Sequence, residues 1–132
     1  FLSGTGTGLL LFRTAASGSY YLVVRHRNHL EVWSAAPLPL VKGTTSLSAY
    51  DFTTGSGTAF GAGALKQAGS SYVVWGGDVN QDGVIDFLDR NLTSNNRTLS
   101  GYLSTDCNGD LVTDSNDYTI VLGNRLKIRQ RP

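Results

Sequence analysis

The sequence predicts an α+β protein in which a β-rich N-terminal part precedes two loop-helix units. Residues 1–75 contain short apolar segments separated by Gly, Ser and Thr, a pattern typical of strands joined by tight turns. From residue 76 onward acidic residues accumulate and the sequence repeats itself, and each copy ends in a segment with apolar residues at helical spacing. We therefore expect a small β-sandwich-like part, 1–75, packed on a repeat part, 76–132.

Five segments of the N-terminal part are predicted to be strands. They are short, apolar and partly β-branched or aromatic, a composition that favours extended backbone. The predicted strands are residues 9–12, 20–24, 30–34, 46–52 and 71–75. Their spacing, with Gly-rich turns between them, favours a β-sandwich or a fragment of one.

The acidic residues are unevenly distributed along the chain. Of the ten, only Glu31 and Asp51 precede position 78, and all the others are Asp. A surface that only had to be hydrated would use Glu at least as often as Asp. A constant shift along the chain places Asp78 on Asp106 and Asn96 on Asn124. One unit, a loop followed by a helix, is therefore used twice, with helices expected at 87–96 and 115–126.

The first copy, DVNQDGVIDFLD from Asp78, has the pattern of a twelve-residue calcium loop. Calcium takes six to eight oxygen ligands, so alternate short side chains must converge while the backbone turns around the ion. Gly83 stands at the sixth position, where the turn requires positive φ, and Ile85 at the eighth is expected to face the core. The predicted ligands are the side chains of Asp78, Asn80, Asp82, Asp86 and Asp89 and the carbonyl of Val84.

The second copy, DCNGDLVTDSND from Asp106, predicts a second calcium ion. It departs from the pattern at Leu111, which stands where the first copy has glycine. A bulky residue held at positive φ costs on the order of 1 to 3 kcal/mol, so we expect the second loop to be weaker. The predicted ligands are the side chains of Asp106, Asn108, Asp110, Asp114 and Asp117 and the carbonyl of Val112.

Both copies carry Asp at the twelfth position, where the usual EF-hand loop has a bidentate Glu. With this feature, and with tandem units of one loop and one helix, residues 76–127 resemble the dockerin modules that anchor bacterial polysaccharide-degrading enzymes to cohesin scaffolds. The resemblance implies two calcium ions whose binding folds the module, and a cohesin-like protein partner. In dockerins that partner contacts loop positions ten and eleven, which here are Phe87-Leu88 and Ser115-Asn116.

A second resemblance involves the N-terminal part. The stretch SYYLVVRHRNHLEVWS, followed by the loop GGDVNQDG, is similar to C-terminal regions of large secreted bacterial proteins, often carbohydrate-active ones. The resemblance implies an accessory region of a secreted or cell-surface protein.

A lone DxNxDG segment is often only an Asx-rich turn, but two copies in register favour calcium. Several carboxylates brought within a few ångströms repel one another unless a cation or protons intervene. The single cysteine, Cys107, stands at the second loop position, which points away from an ion, and is expected to be an incidental free thiol.

The other polar and aromatic candidates are in the N-terminal part. We expect Arg25 and Arg27 to brace neighbouring loops, by hydrogen bonds to the calcium-loop carboxylates or by contact with a ligand. His26 and His29 are not expected to share a face in an extended strand and turn, which disfavours a metal site. Trp33 and Trp75 either belong to an aromatic platform for sugar rings or fill the core.

Several function classes are disfavoured. A formal net charge of +1 without a basic stripe indicates no nucleic-acid partner. No run of about eighteen apolar residues is present, so no membrane insertion is expected. The Asp residues are accounted for as ligands, and no Ser/His/Asp or Cys/His signature occurs. We therefore expect a non-catalytic calcium-binding accessory module, structural or docking, linked to polysaccharide degradation. The alternative is a carbohydrate-binding module, with polysaccharide as its partner and calcium as a brace.

Overall fold

The computed structural model describes residues 14–42 and 49–132. Within these ranges it contains small antiparallel sheets and two helices, so the predicted α+β class is confirmed. The predicted strand at 9–12 and the first part of the predicted strand at 46–52 lie outside the described residues.

Among the described residues, six short strands pair into three two-stranded antiparallel sheets. The pairs are β1 (Gly18–Tyr20) with β4 (Leu38–Leu40), β2 (Val23–Val24) with β3 (Val32–Trp33), and β5 (Leu65–Ala68) with β6 (Ser71–Val74). In register, Gly18 lies opposite Leu40, Val23 opposite Trp33 and Leu65 opposite Val74. A short 3-10 turn, Ser56–Thr58, precedes β5. For residues 14–42 and 49–75 the structure gives separate pairs, and the sandwich-like arrangement stays a prediction.

The predicted strands are partly wrong in their extent. The segment 20–24 is split between the end of β1 and β2, because Leu22 turns aside to exchange hydrogen bonds with Ser34. Residues 49–52 are not a strand, since Asp51 instead accepts the backbone N–H of Thr53 at 2.7 Å in an Asx turn. The strands β4 and β5 were not predicted, because their polar residues and Pro39 hide the alternation that indicates a strand.

The two predicted helices are confirmed as α1 (Phe87–Asn95) and α2 (Ser115–Gly123). Each begins with a capping box, whose N-cap is Asp86 in α1 and Asp114 in α2. The N-cap side chain accepts a backbone N–H of the first turn, and the side chain of Asp89 or Asp117 accepts the backbone N–H of the N-cap residue. The predicted end of α2 at 126 is too late, because Leu126 adopts φ 67°, which an α-helix does not accommodate.

Backbone hydrogen bonds join the two repeats to each other. In the first loop, Ile85 N donates to Lys127 O at 2.9 Å, while Leu126 N donates to Ile85 O at 2.8 Å. In the second loop, Thr113 N donates to Leu99 O at 2.9 Å, and Thr98 N donates to Thr113 O at 2.9 Å. Each loop is thus paired with the segment that follows the other repeat's helix. We call this arrangement the reciprocal pairing.

The apolar core consists of two clusters. The first joins the N-terminal part to the repeats, because Leu30 packs with Val79, Ile85 and Val121. Ile85 is fully buried, so its predicted core-facing position is confirmed. The second cluster lies within the N-terminal part and contains Val32, Ala59 and Leu65. Because the first cluster takes residues from both sides of residue 75, packing connects the two parts of the chain, and their independence stays untested.

Candidate functional site

The backbone of both loops turns through positive φ at equivalent positions. In loop 1 (78–89) the fourth and sixth positions are Gln81, φ 61°, and Gly83, φ 94°. In loop 2 (106–117) they are Gly109, φ 84°, and Leu111, φ 71°. The sixth-position turn predicted from sequence is therefore present in both loops. Each loop holds one residue other than glycine in the left-handed region. That residue stands at the fourth position in loop 1 and at the sixth position in loop 2.

The polar side chains at the third, fifth and ninth positions hold each loop in shape. In loop 1, Asn80 Oδ1 accepts Asp82 N at 3.0 Å, Asp82 Oδ1 accepts Val84 N at 2.9 Å, and Asp86 Oδ1 accepts Leu88 N at 2.7 Å. Loop 2 repeats this pattern through the side chains of Asn108, Asp110 and Asp114. These bonds are Asx turns, which tighten a chain whether or not a cation is bound.

The buried carboxylate at the twelfth position connects the start of each loop to its helix. Asp89 accepts backbone N–H bonds from Val79 at 2.8 Å, Asn80 at 3.2 Å and Asp86 at 2.9 Å. Asp117 has the equivalent three partners in loop 2. Burial raises the pKa of Asp89 despite these bonds, with a smaller contribution from the negative charge of Asp82.

Asp78, at the first position of loop 1, has an incompletely satisfied carboxylate. It is 2% exposed, and its Oδ2 accepts the backbone N–H of Gly83 at 3.2 Å. Its Oδ1 is buried without a hydrogen-bond partner, and among the described residues no other buried side-chain oxygen or nitrogen is in this state. Burial, and then the charges of Asp89 and Asp82, raise the pKa of Asp78 to about 6. An oxygen in this position fits a cation, which would supply the missing partner.

Asp106, at the same position in loop 2, has partners for both oxygens. Its Oδ1 accepts Gly109 N at 2.8 Å, and its Oδ2 accepts Leu111 N and the Arg27 guanidinium, both at 3.2 Å. Arg27 also donates to the carbonyls of Asp106 and Leu103. The predicted bracing of a loop carboxylate by Arg27 is therefore confirmed, and the first position is paired with a positive charge in loop 2 but not in loop 1.

Arg25 does not take part in this bracing, so that expectation is wrong. Its guanidinium pairs instead with Glu31 at 2.7 Å. Glu31 also accepts Arg131 at 2.9 Å and the indole N–H of Trp33 at 2.6 Å. These contacts lower the pKa of Glu31 and outweigh its burial. Arg25 thus belongs to a surface network around Glu31.

The two tryptophans are partly buried, and both indole N–H groups are hydrogen-bonded. Trp33 contacts Tyr21 edge to face, with 5.9 Å between the ring centroids. Trp75 donates to Gly63 O at 2.8 Å, packs against the first core cluster and lies 4.3 Å from the Lys127 ammonium. The core-filling role weighed in the sequence fits Trp75, which packs against the first core cluster, while a sugar platform stays an untested prediction.

Sequence reasoning missed the convergence of the two histidines. His26 and His29 were expected on different faces, but the turn at residues 27–28 brings their Nδ1 atoms to 2.8 Å from each other. Both Nδ1 atoms also lie beside Asn28 Oδ1, at 2.9 and 2.8 Å. The Arg-Asn pair between the histidines is the signal for this turn, because Asn favours turn conformations.

A groove between the two helices combines exposed apolar side chains with two arginines. Phe87 is 59% exposed and Leu126 is 79% exposed. Arg90 and Arg125 line the same groove. Contiguous exposed apolar patches often mark interaction surfaces, whereas single exposed apolar residues are common and carry no such meaning.

No group of three or more His, Cys, Asp or Glu side chains that could hold a metal occurs in residues 14–42 and 49–132. Each predicted ligand set contains four Asp carboxylates, but no three of them lie close enough together in this structure to hold an ion, so the calcium ligands stay a prediction. Cys107 is a free thiol, as expected, and burial raises its pKa to about 12. In the part of the chain that the structure describes, no helix has the length and apolarity needed to cross a membrane.

Comparison of the chain with protein-family models, with curated proteins and with solved structures finds no match in any of the three. Function must therefore be argued from the loops and their surroundings.

Proposed function

We propose that residues 76–132 form a calcium-binding module in which each loop binds one ion. The buried, unpartnered Oδ1 of Asp78 is the observation that carries this proposal. With a pKa of about 6, the carboxyl of Asp78 is ionised at neutral pH. A buried anionic oxygen without a partner is strongly unfavourable, and a calcium ion in loop 1 removes that penalty.

The rest of loop 1 supports the same proposal. Asp82 and Asp89 add negative charge beside Asp78, and both contribute to raising its pKa. The positive φ at Gly83 gives the turn that places the Val84 carbonyl at the seventh position. Together these groups offer the hard oxygen ligands that calcium takes.

We expect loop 2 to bind its ion more weakly. Arg27 already supplies positive charge to Asp106, so a cation gains less there. The positive φ of Leu111 does not by itself distinguish the loops, because Gln81 holds an equivalent φ in loop 1.

Calcium would act as a brace for the fold. For an affinity of ~10 μM and ~1 mM extracellular calcium, each ion stabilises the folded state by about 2.7 kcal/mol. Calorimetric titration of the demetallated protein with calcium should give two sites per chain, and a chelator should lower the melting temperature. Equal melting temperatures with and without calcium, together with no heat of binding, would refute the proposal.

The module would be a non-catalytic structural or docking part of a secreted bacterial multidomain protein linked to polysaccharide degradation. The reciprocal pairing and the helix contact support a dockerin-like pairing of the two units. The exposed Phe87 and Leu126, beside Arg90 and Arg125, support a protein partner, of which a cohesin-like protein is the candidate. Pull-down from the parent organism with the native chain and with Phe87→Ser tests the docking role, because only the native chain should retain the partner.

The alternative, a carbohydrate-binding module with structural calcium, stays a prediction from the sequence. Affinity electrophoresis on glucans, xylans and mannans tests it. Retardation that is lost in Trp33→Ala or Trp75→Ala would favour the alternative over docking.

A further inference from the structure

Three potential ligand atoms converge in the turn that precedes β3. His26 Nδ1 and His29 Nδ1 are 2.8 Å apart, and Asn28 Oδ1 lies 2.9 Å from the first and 2.8 Å from the second. The imidazole rings meet edge to face, with 4.6 Å between their centroids. The three atoms therefore form a nearly equilateral triangle of nitrogen, nitrogen and oxygen.

Protons alone do not satisfy this triangle. The amide oxygen of Asn28 carries no proton, so the three contacts depend on the two Nδ1 atoms. If both nitrogens are protonated, both N–H groups can donate to the Asn28 oxygen, but the two nitrogens then lie 2.8 Å apart with no hydrogen bond between them. If only one is protonated, the lone pair of the other nitrogen faces the lone pairs of the Asn28 oxygen. A cation that accepts a lone pair from each of the three atoms removes both conflicts.

We propose that His26, Asn28 and His29 bind one divalent transition-metal ion of the zinc, nickel and copper group. In the square or tetragonal coordination that copper and nickel favour, ligands at right angles with bonds of roughly 2.0 to 2.1 Å lie roughly 2.8 to 3.0 Å apart, closer than in the tetrahedral coordination usual for zinc. The three observed separations match one face of such a coordination sphere. His26 is exposed, so water completes the sphere on the solvent side.

The protein holds Asn28 Oδ1 in position without the help of an ion. Asn28 is fully buried, and its Nδ2 donates to Asp106 O at 2.6 Å. This bond fixes the orientation of the amide, so that Oδ1 faces the two imidazoles. The backbone carbonyl of His29 accepts Gln81 Nε2 at 3.2 Å, which connects the turn to loop 1. The site is thus built on fixed backbone rather than on a free surface loop.

The chemistry of the ligands distinguishes this site from the calcium loops. Imidazole nitrogen suits zinc, copper and nickel, whereas calcium takes oxygen ligands. The chain contains only two histidines, so a tag-free protein reports on this site without interference from other imidazoles.

The test is calorimetric titration of the tag-free chain with zinc and then nickel, in buffer with excess calcium. We expect one ion per chain, and the NMR signals of both imidazoles should shift together on zinc addition. Losing a group that merely orients a ligand weakens metal binding by about 10- to 100-fold. Removal of a direct ligand in His26→Gln or His29→Gln should therefore weaken binding at least as much, while Arg25→Gln should bind as the native chain does.

Zinc binding that is equal in the native chain and in His26→Gln would overturn the proposal and assign the ion to the aspartates. Absence of zinc and nickel binding, or a shift of only one imidazole signal, would overturn it as well. If a histidine variant fails to fold, the melting temperature of the native chain still tests the proposal. Zinc in excess calcium must raise that temperature. The calcium proposal is separate, since it fails or stands on calcium titration of the histidine variants.

Discussion

Removing the charge of Asp78 should have opposite effects on stability in the absence and presence of calcium. The pKa of this carboxyl is raised from 3.8 to about 6. Each unit corresponds to about 1.36 kcal/mol, so keeping the buried group ionised at pH 7.5 costs the calcium-free fold roughly 3 kcal/mol. Asp78→Asn removes that charge while nearly preserving the shape of the side chain. In chelator we expect its free energy of unfolding to exceed the native value by about 1 to 3 kcal/mol.

With millimolar calcium the order should reverse. The native chain gains about 2.7 kcal/mol from the ion in loop 1, and the variant loses most of that gain. Urea denaturation followed by tryptophan fluorescence, with chelator and with calcium, measures both differences. A variant that is less stable than the native chain under both conditions would refute the reasoning, because Asp78 would then be a satisfied structural residue.

Asp106→Asn is the matched control, since Asp106 occupies the same position in loop 2. There the carboxylate is paired with Arg27, which is itself mostly buried. Breaking a buried ion pair from one side costs about 3 kcal/mol or more. We therefore expect Asp106→Asn to be destabilising in chelator, opposite in sign to Asp78→Asn.

The pH dependence gives an independent check. A carboxyl with a raised pKa in the folded state stabilises that state below pH 3.8, and the contribution is lost as the pH rises toward 6. His29, whose pKa is lowered to about 4, has the opposite trend between pH 4 and 6.5. Subtracting the pH profile of the native chain's free energy of unfolding from that of Asp78→Asn cancels the contribution of His29. The advantage of the variant in chelator should therefore appear between pH 4 and 6 and be absent below pH 3.8.

Three further outcomes are expected. Leu111→Gly should raise calcium affinity in loop 2 by up to about fivefold, because about 1 kcal/mol of backbone strain at φ 71° is relieved while the half-exposed side chain loses little packing; unchanged or weaker binding by calorimetry would contradict this. Gln81→Gly should gain less, since the Gln81 amide donates to Asp78 O at 2.7 Å, and an equal gain would show that this bond contributes nothing. Deleting residues 126–132 should leave one calcium ion per chain instead of two, because loop 1 loses its backbone partners; two ions of native affinity would show that the pairing is dispensable.

The loops and helices could be predicted from sequence because their determinants are local. Gly83 marked the left-handed position, and the repeat carried it over to Leu111, while the capping boxes at Asp86 and Asp114 were seen only in the structure. Repetition of the whole pattern then identified both units together. Helix starts were accurate for this reason, whereas the end of α2 depended on the positive φ of Leu126, which has no strong sequence signal.

The N-terminal part was less predictable because its structure depends on distant partners. Leu22 leaves its strand to bond with Ser34, and the buried Asn28 donates its amide N–H to the backbone carbonyl of the distant Asp106. The choice of Arg27 rather than Arg25 as the loop brace also required three-dimensional proximity. Sequence spacing gives such side chains no preferred partner, so the histidine turn and the difference between the loops emerged only from the structure.

The reciprocal pairing has a consequence for how the chain is made. Ile85 and Gly83 receive their hydrogen-bond partners from Leu126, Lys127 and Arg129, which a ribosome delivers only after the whole of the first repeat. The first repeat thus cannot reach its final form until residues 126–129 have been synthesised, however early its own residues emerge. Completion of loop 1 is therefore a late step that depends on a contact between segments distant in sequence.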